Sequence, residues 1–138
     1  MHPVARNILA VVAGAVAASA LVALIEAVGH TVYPVPGGLD FSKPEQILAY
    51  VQGLPVGALI FVLAGWVIGT FGGALLAAWI SKTSPMLCAG IVGGLMLAAT
   101  IANLLMIPPP AWFAIVGVVG VPLAAWAAGK LRQRKAAL

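Results

Sequence analysis

Apolar residues fill four long stretches of this chain, and polar residues gather in the gaps between them. The stretches run from about Asn7 to Gly29, Val56 to Ser81, Met86 to Ile107 and Ala111 to Gly129. A bilayer core is about 30 Å thick and takes ~20 helical residues to cross. Each stretch meets that length or nearly so, and open sheet edges do not survive in lipid, so all four read as helices. The gaps hold the helix breakers. Pro34, Pro36, Gly37 and Gly38 end the first stretch, Gly53 and Pro55 precede the second, Lys82-Thr83-Ser84-Pro85 turns the chain before the third, and Pro108-Pro109-Pro110 precedes the fourth. Pro122 falls within the fourth stretch and predicts a bend near Val118.

The loop 30–55 has its own pattern. Ile47, Leu48, Val51 and Leu54 recur at helical spacing, with Glu45, Gln46 and Gln52 elsewhere on the wheel. Ser42-Lys43-Pro44-Glu45 matches a capping box. The expectation is a short amphipathic helix over about 44–54, lying on the membrane surface or over the bundle. A weak repeat is also present: Leu76-Ala77-Ala78-Trp79 recurs as Leu123-Ala124-Ala125-Trp126.

Composition supports a membrane class. Of 138 residues, 63% are hydrophobic and only 7% charged, whereas a soluble domain carries charge at roughly a quarter of its positions. The chain is expected to be one integral membrane domain over 1–138, an all-α four-helix transmembrane bundle whose main partner is the lipid bilayer. An apolar first stretch this long exceeds a signal-peptide core and reads as an anchor.

Charge then sets orientation. With four spans both termini share a side, and Arg6, Lys82, Lys130, Arg132, Arg134 and Lys135 fall there. The other side has Lys43 beside Asp40 and Glu45. The positive-inside rule places both termini in the cytoplasm and the loop 30–55 outside, in a bacterial inner membrane. This net charge of +4 does not imply nucleic acid, because no basic face with base-reading side chains accompanies it. Cys88 is the single cysteine and sits in an apolar run, so it reads as a small hydrophobe.

Two kinds of candidate residue remain. Gly65, Gly69 and Gly73 in the second span, and Gly90 and Gly94 in the third, form small-xxx-small faces. They suit packing within the monomer, a homodimer, or a larger membrane complex. The polar candidates are Glu26 and His30, four residues apart and so on one helix face, with Ser19 two turns earlier. Asn103 lies at similar depth in the third span and Thr100 a turn deeper, while Trp66 and Thr70 share a face of the second span. These residues would form a polar pocket in the outer half of the bundle. Three readings stand for it: mutual hydrogen bonds that hold the helices in register, a site for a proton, cation or small solute, or a metal site. Glu26 and His30 supply only two metal ligands where zinc takes three or four; Asp40 or a second subunit would have to add the rest. No cofactor is expected. No Ser-His-Asp set, phosphate loop or paired catalytic carboxylates can be assembled. The expected role is therefore non-enzymatic: binding or helping to pass a small solute, proton or cation, with an accessory subunit of a larger complex as the alternative.

Four short spans with one membrane glutamate in the first resemble the small multidrug-resistance transporters in architecture. Their glutamate lies mid-helix and their loops are short, so their activity is not carried over. The segments Glu26-x-x-x-His30-x-x-Tyr33-Pro34-x-Pro36, Gly38-Leu39-Asp40 and Ile101 through Pro108 resemble small bacterial four-span inner-membrane proteins. That resemblance covers most of the chain and implies fold and location but no activity.

Overall fold

A computed structural model describes residues 2–137, with side chains through Lys135. Met1 and Leu138, the ends of the expected domain, lie outside the described residues. Five helices follow one another: α1 Pro3–Val32, α2 Pro44–Gln52, α3 Val56–Ile80, α4 Pro85–Met106 and α5 Ala111–Ala137. No strand occurs among the described residues. The four long helices are long and apolar enough to cross a membrane.

Two long helices overrun their expected ends, α1 at both and α5 at its C-terminal end, while α3 and α4 match theirs within one residue. Helix α1 begins at Pro3 because proline needs no donor partner in a first turn, and because His2 Nδ1 accepts the Val4 N–H at 3.1 Å. Helix α5 passes through Pro122 and carries the basic tail to Ala137 rather than stopping at Gly129. The tail's cations lie back on aromatic faces: Lys130 sits 5.9 Å from the Trp126 ring and Arg132 5.5 Å from the Trp79 ring. The two Leu-Ala-Ala-Trp segments also match in burial, with both alanines buried and leucine and tryptophan exposed in each.

Helix α3 is the hub. It packs on α1, α4 and α5, and α4 packs in turn on α1 and α5, while among the described residues no Cα of α1 lies within 8 Å of one of α5. At the end holding both termini the core is built from Ala10, Ala18, Ala74, Ala77, Ala78 and their neighbours. Small side chains let backbones come close, and in lipid close contact is what draws helices together. Gly69 and Gly73 face Ala18, Val22 and Gly14 of α1, and Gly65 faces Ile25. The second-span glycine face is thus used inside the monomer.

The third-span face behaves differently. Gly90 and Gly94 are exposed, with no atom of a described residue within 4 Å of a Cβ placed on either. The buried glycine of α4 is Gly93, which faces Ala125 of α5. Helix α4 turns its Gly93 row toward α5, and that leaves the Gly90 row pointing out of the bundle.

A polar clasp closes the end that holds the termini. The Arg6 guanidinium donates to the Ile80 carbonyl at 2.6 Å, at the last turn of α3, where a cation also complements the helix dipole. The Ser81 hydroxyl donates to Asn7 Oδ1 at 2.6 Å and accepts the Ser84 N–H at 3.0 Å. Asn7 Nδ2 reaches Thr83 Oγ1 at 3.4 Å.

At the other end the core is bulkier and looser. Leu59, Leu63 and Phe113 are buried there, with Leu54, Val62, Trp66 and Leu104 against them. Helix α2 bridges this end, yet its Cα atoms stay more than 8 Å from those of every other helix. The expected Ser42–Glu45 capping box does not form. Helix α2 begins at Pro44 with Lys43 as its N-cap, which sets Ser42 one residue too early to cap. Ser42 instead turns back on Asp40: its N–H and hydroxyl donate to Asp40 Oδ1 at 2.9 and 2.6 Å.

Candidate binding site around Glu26

Helix α1 places its small residues on α3, and this decides where Glu26 points. Gly14, Ala18 and Gly29 are buried at the contact, and a Cβ on Gly29 would come within 3.0 Å of Phe61. Glu26 lies beside that seam, half-buried. It borders three cavities.

The first cavity, about 200 Å³, lies among α1, α2 and α3 and is walled by Glu26, His30, Tyr33, Tyr50, Val51 and Phe61. The second, about 240 Å³, lies between α1 and α4 with Trp66 of α3 behind it. Ser19, Glu26, Thr100 and Asn103 are its polar residues. The third, about 170 Å³, lies under Val51 and Leu54 and brings Glu26 and Asn103 together with Trp66 and Phe113. Trp66 meets Phe113 edge-on, with ring centroids 5.3 Å apart.

The expected pocket residues do not converge at one point. Glu26 and Asn103 share the second and third cavities, and Glu26 and His30 share the first. His30 is exposed. Thr100 is 4% exposed and lines the second cavity. Thr70 lines none of the three. It lies one turn beyond Trp66, inside the tightly packed part of α3, where it is fully buried and its Oγ1 has no partner among the described residues.

The hydrogen bonds expected to tie these helices together are also absent among the described residues. Asn103 Nδ2 donates to Ala99 O of its own helix at 3.0 Å, not across to α1. Thr31 likewise bonds Val28 O on its own helix, at 2.7 Å. No hydrogen bond of a described residue reaches the Glu26 carboxyl. The cross-helix polar bonds form at the opposite end instead, through Arg6 and Asn7.

A metal gains no third ligand from the described residues of this chain. No group of three or more His, Cys, Asp or Glu suited to a metal ion occurs among the described residues. Asp40 is held in its own loop, where the Ser42 hydroxyl, then the Ser42 N–H, keeps its carboxyl below the usual range.

Tyr33 and Tyr50 escaped the sequence reading of the site. Tyr50 had a signal, since it falls at helical spacing from Ile47 and Leu54. Tyr33 had none: it packs edge-on against Phe61 at 6.1 Å, and its hydroxyl occupies the place a Cβ on Gly57 would need. Both contacts join residues remote in the chain.

Comparison with protein families, curated proteins and solved structures finds no match, so the functional reading rests on this site.

Proposed function

We propose that this chain is a non-enzymatic, multi-pass membrane protein that binds, or helps to pass, a small solute, proton or cation at Glu26. One observation carries the reading: a half-buried carboxyl with no hydrogen-bond partner among the described residues borders three cavities. An ionisable group within a membrane span is costly to keep unpaired, and a bound guest offsets that cost. Ser19, Thr100 and Asn103 add hydrogen-bonding groups along one wall.

Binding is the better-supported half of this role, because alanine packing and the Arg6–Asn7 clasp close the far end. Helix α2 would act as a cover, resting on the site through Val51 and Leu54 without close backbone packing. The six cations at the end with the termini favour a cytoplasmic position for it, in a bacterial inner membrane, with α2 outside. Native mass spectrometry of protein released from its own membranes tests the reading. A small solute should be retained by the wild type and lost in Glu26→Gln. Equal retention by both proteins would refute it.

A second reading, an accessory subunit within a larger membrane complex, is favoured by the open row at Gly90 and Gly94. Gly94→Leu should then release a co-purifying membrane protein. An unchanged set of co-purifying proteins counts against it.

A further inference from the structure

We infer that the end of the bundle holding both termini binds an anionic phospholipid, with one acyl chain laid between α1 and α4 and the phosphate held by Arg6 and Lys82. This site is separate from Glu26 and does not depend on its role.

A groove of about 320 Å³ opens outward along the seam between the first turns of α1 and of α4. Ile8 and Val12 of α1 and Leu87 and Ile91 of α4 stand exposed as its sides, with Val11 half-buried and Cys88 buried beneath them. Cys88 Sγ lies 3.9 Å from Asn7 O and closes the floor. From Val4 to Val12 the α1 side runs about two helical turns, or roughly 12 Å, away from the end with the termini. No glycine or alanine lines the groove. Helices associate in lipid through small residues that let backbones approach. Branched sides of this kind therefore suit a thin, flexible hydrocarbon chain rather than another helix.

Charge gathers at one end of this groove. Asn7 lines it, and its side chain bonds Ser81 and Thr83, so the turn between α3 and α4 is tethered beside it. Arg6 spends one N–H on the Ile80 carbonyl, and its other N–H groups make no hydrogen bond among the described residues. Lys82 stands exposed in the tethered turn. Helix α4 also starts here, with no side-chain bond from its N-cap Ser84, so its first-turn N–H groups and positive dipole end add to the attraction for an anion. The three acidic residues of the chain, Glu26, Asp40 and Glu45, all lie toward the opposite end. A phosphate therefore meets two cations and no competing carboxylate side chain, whereas the ammonium of a zwitterionic headgroup finds no acidic partner. A charged head at the bundle's end above an apolar furrow is the layout of a phospholipid standing in that leaflet.

The test uses the full chain in nanodiscs of phosphatidylglycerol and phosphatidylethanolamine in equal parts, with a trace of phosphatidylglycerol carrying a diazirine in one acyl chain. After photolysis, peptide mapping should find the cross-links concentrated on residues 4–12 and 87–91. Cross-links spread evenly over the four spans overturn the groove, as does a second protein chain held there in place of lipid. Native mass spectrometry of protein released from the same discs should show phosphatidylglycerol retained in preference to phosphatidylethanolamine. Equal retention of the two overturns the anionic class. Lys82→Gln should weaken phosphatidylglycerol by about fivefold. Arg6→Gln should weaken it by about tenfold, the loss of a charge-assisted bond. Arg6 also holds Ile80, so Lys82→Gln, at an exposed position, keeps the test open should Arg6→Gln fail to fold. Unchanged retention in folded Lys82→Gln overturns the placement of the phosphate at this turn. Excess inorganic phosphate should leave the lipid in place; its displacement would make this a site for free phosphate and overturn the lipid.

Discussion

Adding one methyl group at Gly73 should separate α1 from α3. A Cβ there would meet the Gly14 carbonyl oxygen and lie 2.5 Å from Ala18 Cβ and 2.9 Å from the Ala18 backbone nitrogen. Non-bonded carbons rest about 3.5–4.0 Å apart, so the seam must open by roughly 1 Å. None of these neighbours can rotate away, since each is backbone or a fixed Cβ. Overpacking of this kind costs ~1–3 kcal/mol, roughly a 5- to 150-fold loss in the folding equilibrium. Gly94→Ala is the matched control. It adds the same methyl on a membrane-crossing helix, but with nothing within 4 Å, and should stay within ~0.5 kcal/mol of wild type. Reversible unfolding in mixed micelles, followed by far-ultraviolet circular dichroism, measures both. A Gly73→Ala midpoint equal to wild type would show that α1 and α3 do not meet at this glycine. An equal loss in Gly94→Ala would show that α4 turns a different face outward.

Asn7→Ala removes the acceptor of the Ser81 hydroxyl, which is 1% exposed, and should cost about 1–2 kcal/mol in the same unfolding assay; wild-type stability would mean the clasp contributes nothing. Thr70→Val replaces a fully buried hydroxyl that lacks a partner, so it should be neutral or stabilising by up to ~1 kcal/mol. A clear loss there would reveal a bonding partner for Thr70. Asp40 binds its proton less readily in the folded loop than in an unfolded chain, because Ser42 bonds the charged form. Its contribution to loop order is therefore present above the ordinary carboxylate range and fades as pH falls through the lowered value. The Ser42 amide resonance should shift over that acidic window and stay flat in Asp40→Asn; a flat wild-type trace would contradict the bond.

The sequence alone determined the environment and the elements. Four apolar stretches of spanning length leave the backbone one way to satisfy itself in lipid, so helices and their rough limits could be read directly. The short helix α2 was legible too, from Ile47, Leu48 and Val51 at helical spacing. Its start near residue 44 was legible as well, but its cap was not: Ser42 bonds Asp40, and Lys43 takes the N-cap position. The polar stripe through Glu26 was visible as spacing on one helix, but spacing cannot say which neighbour a face meets. Only tertiary packing decided that Gly73 meets α1 while Gly94 meets no described residue, and that Asn103 shares cavities with Glu26 without bonding it. The physical reason is rotation. In lipid an apolar helix has no wet side to orient it, so the fit of small residues against their neighbours sets each helix's angle, and with it the place where the one spanning carboxylate finds space.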